Sequence, residues 1–534
     1  MTFMKLFSWN SFLAVVTFLF GVFICQYTGN RGVFPIDSFS HFDSGYRILN
    51  GEHPFKDYWI VSGFFIDYFQ SLIFYLLGFS WQTYLLNASI LNGFVSLLIY
   101  FLFNNLGLNF KLSFFYAICF SILAYPSSGT PFVDHHSALL SIIAIIFIIN
   151  AIKSNNLYFW FLIPVFLFFA FLSKQVPATY IFIGTIFLII LHLSQQQKKD
   201  FVKILSTLFA SSLLIIIFFI ILLKTNDIDI KLFLTQYFNY PSIIGQERYK
   251  TIKYDFKNIF LNFKFIYLAL FFLFFSTIEI IKRKGKNFYK DINFKILTIC
   301  IISFLSLVQH IVLTKNQIFI FFLIPFFLGF ANVQLNNINK NYIQYIRIFI
   351  IIFCMAATLK YHLRFNIERK FHELNNVQFS QAINSITLNK KFLGLKWITP
   401  GTRNKSEIIS EIKFLKKVIN ILKSDKSSKM VLSNYSFFSV LIEENVSGYS
   451  RWYPGDNSAF PTKGDEYFEN YRDLIISVFQ KRKINTIYIL PDINEKNLLD
   501  YVDSKCFDRH QLEFKIIKYE INNECYDLFV WKKK

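Results

Sequence analysis

The sequence predicts an α-helical polytopic membrane protein that ends in a small α/β domain, and three observations carry that prediction. Hydrophobic residues fill 54% of the 534 positions and charged residues only 17%, with a mean hydropathy of +0.41. A soluble chain of this length needs far more surface charge. Apolar runs at 12–24, 201–223, 265–281 and 343–359 approach or match the ~20 residues that a bilayer-crossing helix requires. After Tyr361 charges become frequent, and short β-branched or aromatic runs alternate with helical spacing.

The net charge of +21 does not point to nucleic acid. The basic residues sit in short loops and in the tail, with no interleaved aromatic stripe on a soluble face, as in membrane proteins whose cytoplasmic loops meet anionic lipid. The first apolar stretch reads as a retained span. Residues 1–6 are too short and too weakly basic for a cleavable signal, and 9–26 lacks a small-residue cleavage site.

Eleven spans follow from the apolar runs: 8–26, 84–104, 112–127, 137–152, 157–173, 176–194, 202–223, 259–282, 293–313, 316–334 and 344–360. The basic loops 195–203 and 281–290, with Lys153, belong on the cytoplasmic side. The loop 27–62 and the tail after Lys360 then fall outside. Parity demands an odd number of spans between 26–62 and 195–203, and six apolar segments lie there. The segment 64–81 is short and contains Asp67, so we read it as an amphipathic helix along the surface. Residues 1–360 would form the transmembrane catalytic domain and 361–534 the extracytoplasmic α/β domain.

In the tail, 406–422 has helical spacing with Lys413, Lys416 and Lys417 on one side. Strands are expected at 429–432, 486–490, 514–519 and 526–531, and helices at 465–481 and 495–502. Four of the six cysteines (Cys25, Cys119, Cys300, Cys354) fall in spans and read as packing residues. Cys506 and Cys525 lie in the outer tail, where either a disulfide or two free thiols fits.

The candidate chemistry gathers on the outer face. The first loop carries Asp37, His41, Asp43 and Arg47, then Asn50-Gly51-Glu52-His53-Pro54-Phe55-Lys56-Asp57, in a chain otherwise poor in charge. Ionisable groups against a bilayer are costly and mark function. Asp37 is either a general base, its pKa raised by shielding from water, or a solvated helix cap. Asp43 reads more readily as solvated, and Asp57 as a partner of Lys56 or Arg47. A Gly- and Pro-rich turn brings Asp134, His135 and His136 to the lip of a span, where they bind an ion or a substrate hydroxyl, or cap the helix. Lys174, between two spans with no acidic neighbour in sequence, either snorkels to the interface or meets a phosphate as a point charge.

These features resemble the membrane glycosyltransferases of the GT-C superfamily, which include protein mannosyltransferases and aminoarabinose transferases. The resemblance rests on Asp37 after the first span, the element Gly51-Glu52-His53-Pro54-Phe55-Lys56-Asp57, Gly78, Asp134 and Ser173-Lys174. It covers roughly residues 8–200. It implies inverting transfer of a sugar from a polyprenyl-phosphate donor to a lipid or glycan acceptor, at the extracytoplasmic face of a bacterial inner membrane. Asp37 would be the base, Asp134 would orient acceptor or sugar or help hold a divalent cation where one is used, and Lys174 would meet the leaving phosphate. Asp43, Asp57, His41, Arg47, His135 and His136 would surround the substrate. Many members have Asp-Glu where this chain has Asp37-Ser38, which keeps Asp43 as a second candidate base. Two other classes remain: a polymerase or ligase of lipid-linked glycans, and a transporter or flippase. A transporter would show polar mid-span residues and an internal repeat; the sequence has few of the former and none of the latter.

Overall fold

The computed structural model describes the chain apart from residues 1–8, 283–284, 315–318, 339, 373, 375–376, 456–457 and 523–534. The strand expected at 526–531, Cys525, the basic pair Arg283 and Lys284, and Lys315 lie outside the described residues. Cys506 is disulfide-bonded, whereas Cys25, Cys119, Cys300 and Cys354 are buried free thiols.

Among the described residues, nine helices are long and apolar enough to cross a membrane: Trp9–Gly29, Trp81–Asn105, Phe110–Ser127, Val133–Ser154, Gln175–Leu193, Lys198–Thr225, Lys264–Ile281, Ile292–Thr314 and Asn341–Ile367. Leu157–Ser173 and Ile320–Asn336, which the sequence counts as spans, are shorter apolar helices. The helix Phe64–Leu77 is bracketed by Gly63 and Gly78, both at positive φ, where a side chain would be strained. Its 14 residues reach about 21 Å, less than the ~30 Å of a hydrocarbon core.

The chain divides into two compact units. The first comprises residues 1–30, 85–219 and 248–375. Its centre is Val133–Ser154, buried along most of its length, packed against Leu157–Ser173 and Gln175–Leu193. Small residues let backbones touch: a Cβ on Gly21 would stand 2.8 Å from the Cα of Gly93. Such contacts replace the hydrophobic drive that helices lack in lipid.

The second unit comprises 31–84, 220–247 and 376–534. Its sheet runs Lys429–Leu432, Thr486–Ile489, Ile517–Ile521, Phe507–Gln511; the first pair is parallel and the others antiparallel. The strand at 514–519 begins later than expected, because Glu513–Lys515 forms a turn with Phe514 and Lys515 at positive φ. The expected helix 495–502 shrinks to Lys496–Leu499. The helix Lys405–Ser424 buries Ile408, Ile412, Leu415, Val418, Ile419 and Leu422, and leaves Lys413, Lys416 and Lys417 exposed. Its start is fixed by Asn404, whose side chain accepts from the Glu407 N–H. Burial of this apolar stripe contributes roughly 1.5–3 kcal/mol per large side chain.

The first loop belongs to this same unit. Two backbone hydrogen bonds, Trp59 N–H to Tyr449 at 2.9 Å and Arg451 N–H to Trp59 at 3.2 Å, stitch it to the tail. Phe39 packs edge-on to Phe437 and stacks near Trp397. Aromatic area of this kind dominates core energetics.

Candidate functional site

In the second unit Asp37 sits in the four-residue helix Pro35–Ser38, opened by Pro35, whose fixed φ suits a first helical position. The Ser38 hydroxyl accepts from the Phe34 N–H at 3.0 Å, and Asp37 remains half-buried.

The other loop candidates are consumed by contacts inside the unit. His41 Nδ1 lies 2.7 Å from Asp67 Oδ1, and Asp67 also pairs with the fully buried Arg451. Arg451 donates further to Ser44 Oγ (3.2 Å) and the Ser62 carbonyl (2.6 Å). Arg47 is 1% exposed and pairs with Glu52 at 2.8 Å. It donates to the carbonyl of Gly448 (2.8 Å) and lies 3.9 Å above the Tyr58 ring. Its planar fork suits several partners at once.

Two expectations are corrected here. Asp43 is buried rather than solvated: its Oδ1 accepts from Ser447 Oγ at 2.6 Å, with Arg47 at 3.9 Å. Burial pushes its carboxyl above the ordinary range, against the pull of Arg47 and Ser447. Asp57 pairs with Lys481, not with Lys56 or Arg47, and accepts from the His53 N–H at 2.8 Å. Lys56 turns instead to Asp227 at 3.6 Å. The tail brings partners that lie hundreds of residues away in sequence.

In the first unit, the turn Tyr125–Ser127 and Gly129 (φ +76°) lead into Val133–Ser154. The buried Arg369 donates to the carbonyls of Pro126 (3.0 Å) and Ser128 (2.8 Å), which holds the turn in place. Asp134 does not cap its helix: the cap position is Phe132, without a side-chain bond. Its carboxylate accepts from Lys174 Nζ at 2.8 and 3.0 Å and also pairs with His310 Nε2. So Lys174 neither snorkels nor stands alone. It follows the end of Leu157–Ser173 with extended backbone, and its carbonyl accepts from Ser137 Oγ at 3.1 Å.

His135 and His136 turn to other partners, Ser127 Oγ at 2.8 Å and the Tyr125 hydroxyl. The Nδ1 atoms of His135 and His310 are buried without a hydrogen-bond partner. Among the described residues no three His, Cys, Asp or Glu side chains gather as metal ligands, so Asp134 and His310 remain a pair.

Sequence reasoning missed His310 and Arg369. His310, beside Gln309, is polar within an apolar span, which is a usable signal. Arg369 had none.

No family model and no curated protein matches the chain.

Proposed function

We propose that the protein is a GT-C-type, inverting glycosyltransferase of a bacterial inner membrane, with eleven spans. It would move a sugar from a polyprenyl-phosphate donor to a lipid or glycan acceptor on the extracytoplasmic face, where the tail lies. The observation that carries this reading is Asp37, half-buried on a short helix whose cap, Phe34, and first residue, Pro35, wall an open cleft. A carboxylate partly shielded from bulk water suits a general base.

The chemistry needs little else from the protein. Asp37 accepts the acceptor hydroxyl's proton as its oxygen attacks the anomeric carbon, and the polyprenyl phosphate leaves with the bonding pair. Positive charge that meets the phosphate as it departs lowers the barrier. In the helical unit Lys174, which the resemblance assigns to the phosphate, is held by Asp134 at 2.8 Å. His41, Arg47 and Asp57, expected around the substrate, also hold the loop against the tail.

The test is sugar transfer by the full-length protein in lipid, from a panel of radiolabelled polyprenyl-phosphate sugars. Wild type should transfer from at least one donor, and Asp37→Asn should lose about 10²–10⁴-fold in rate. Undiminished transfer by Asp37→Asn overturns its assignment as base.

A further inference from the structure

The second unit contains an open cleft of ≈ 550 Å³, walled by Phe34, Pro35, Pro400, Thr402, Glu411 and Tyr435. Its polar feature is Glu411, on the helix Lys405–Ser424. Three donors from different positions hold the carboxylate: the Tyr435 hydroxyl at 2.5 Å, Trp397 Nε1 at 3.2 Å and Thr399 Oγ1 at 3.1 Å. A carboxylate has about four acceptor positions, so one more donor can be taken.

The other polar groups narrow the ligand. Glu407 also lines the cleft; the Arg403 N–H (2.7 Å) and Asn404 Nδ2 (2.8 Å) hold one oxygen each, and its remaining acceptor positions add to an acceptor-rich, negative lining. Among the described residues that line the cleft there is no Lys or Arg, so an anion would meet two carboxylates there. Thr402 and Ser410 spend their hydrogens on the carbonyls of Thr399 and Ser406; the Thr402 oxygen also accepts from the Thr399 N–H at 3.2 Å, and Ser410 keeps oxygen lone pairs for an incoming donor. Phe34, Pro35 and Pro400 supply flat apolar walls. Apolar rings beside acceptor-rich side chains, without a cation, match a molecule with C–H faces and many O–H donors.

We propose that this cleft binds a neutral, hydroxyl-rich saccharide, with Glu411 accepting a hydrogen bond from a sugar hydroxyl. That the saccharide is part of the acceptor rests on the glycosyltransferase reading; the binding itself does not.

Gly401 offers a clean test. It lines the cleft, its backbone is not left-handed, and a Cβ built on it meets nothing within 4 Å. A large side chain there enters open space without disturbing the Glu411 hydrogen bonds. The experiment is ligand-observed saturation-transfer NMR on the full-length protein in nanodiscs, with a panel of neutral disaccharides and a glucuronate-containing disaccharide as the charged control. At least one neutral disaccharide should bind wild type, with Kd on the order of 1 mM. Gly401→Trp should abolish the signal, and Glu411→Gln should weaken it roughly tenfold or more.

The proposal falls if no neutral disaccharide binds, if the charged control binds equally well, or if Gly401→Trp binds undiminished. Saccharide binding without any sugar transfer would uphold the cleft and remove the glycosyltransferase reading. Transfer without saccharide binding would do the reverse.

Discussion

Both units bury charge, and they do so differently. In the helical unit one carboxylate, Asp134, meets one lysine and one histidine at a helix start. In the sheet-containing unit a dense arginine network joins residues 41–67 to 447–482: Arg47 with the Gly448 carbonyl at 2.8 Å, Arg451 with Asp67, and Arg482 with Glu52 at 3.7 Å. Arginine dominates there because its fork satisfies carboxylates and backbone carbonyls together. The richest cluster of the first loop is a joint, and the candidate base, Asp37, stands at its edge.

Removal of Arg451 should loosen the sheet-containing unit most. Arg451→Met leaves Asp67 buried with His41 alone, and loss of one partner from a buried pair costs about 3–5 kcal/mol. Thermal melting and limited proteolysis should show the second unit loosened; an unchanged melt would mean that the network contributes no net stability. Lys174→Met is the matching cut in the helical unit. Its side chain is 18% exposed and His310 remains on Asp134, so the expected loss is smaller, about 1–3 kcal/mol. A larger loss than at Arg451 would reverse the contrast.

The smallest effect is a pH slope. Burial holds the Glu411 carboxyl above its ordinary 4.5, against hydrogen bonds from Tyr435, Trp397 and Thr399. A raised folded-state pKa means that the folded protein binds more protons than the unfolded chain. Its contribution is complete below 4.5 and is lost as pH rises from there through the folded value. Melting of wild type should therefore decline more between pH 4 and 7 than melting of Glu411→Gln. Parallel curves would show that the carboxyl is not perturbed.

Apolar length made the long helices legible, and the short helix Phe64–Leu77 showed as an apolar segment that carries Asp67. The strands Lys429–Leu432 and Thr486–Ile489 showed as apolar runs because all four residues of each are buried. Phe507–Gln511 did not: it is an edge strand whose Asp508, Arg509, His510 and Gln511 are exposed, so no alternation announces it. The site was legible only where its residues were local. Asp37 and Asp134 stood out by position, but Lys174 looked solitary because its partner lies 40 residues away. Asp43 looked solvated because Ser447 lies 404 residues away. Glu411 gave no sign, since a glutamate on an amphipathic helix is ordinary and the cleft exists only in the folded unit.

We propose that the half-buried Asp37 does the chemistry while the buried Asp43 holds structure. Asp37→Asn and Asp43→Asn, compared in one preparation for sugar transfer and for melting temperature, test it most directly. Asp37→Asn should lose transfer by about 10²–10⁴-fold with its melt unchanged. Asp43→Asn should shift the melt, with transfer falling only as the folded fraction falls. Full transfer by Asp37→Asn, with Asp43→Asn inactive yet folded as wild type, would contradict the account and move the base to Asp43.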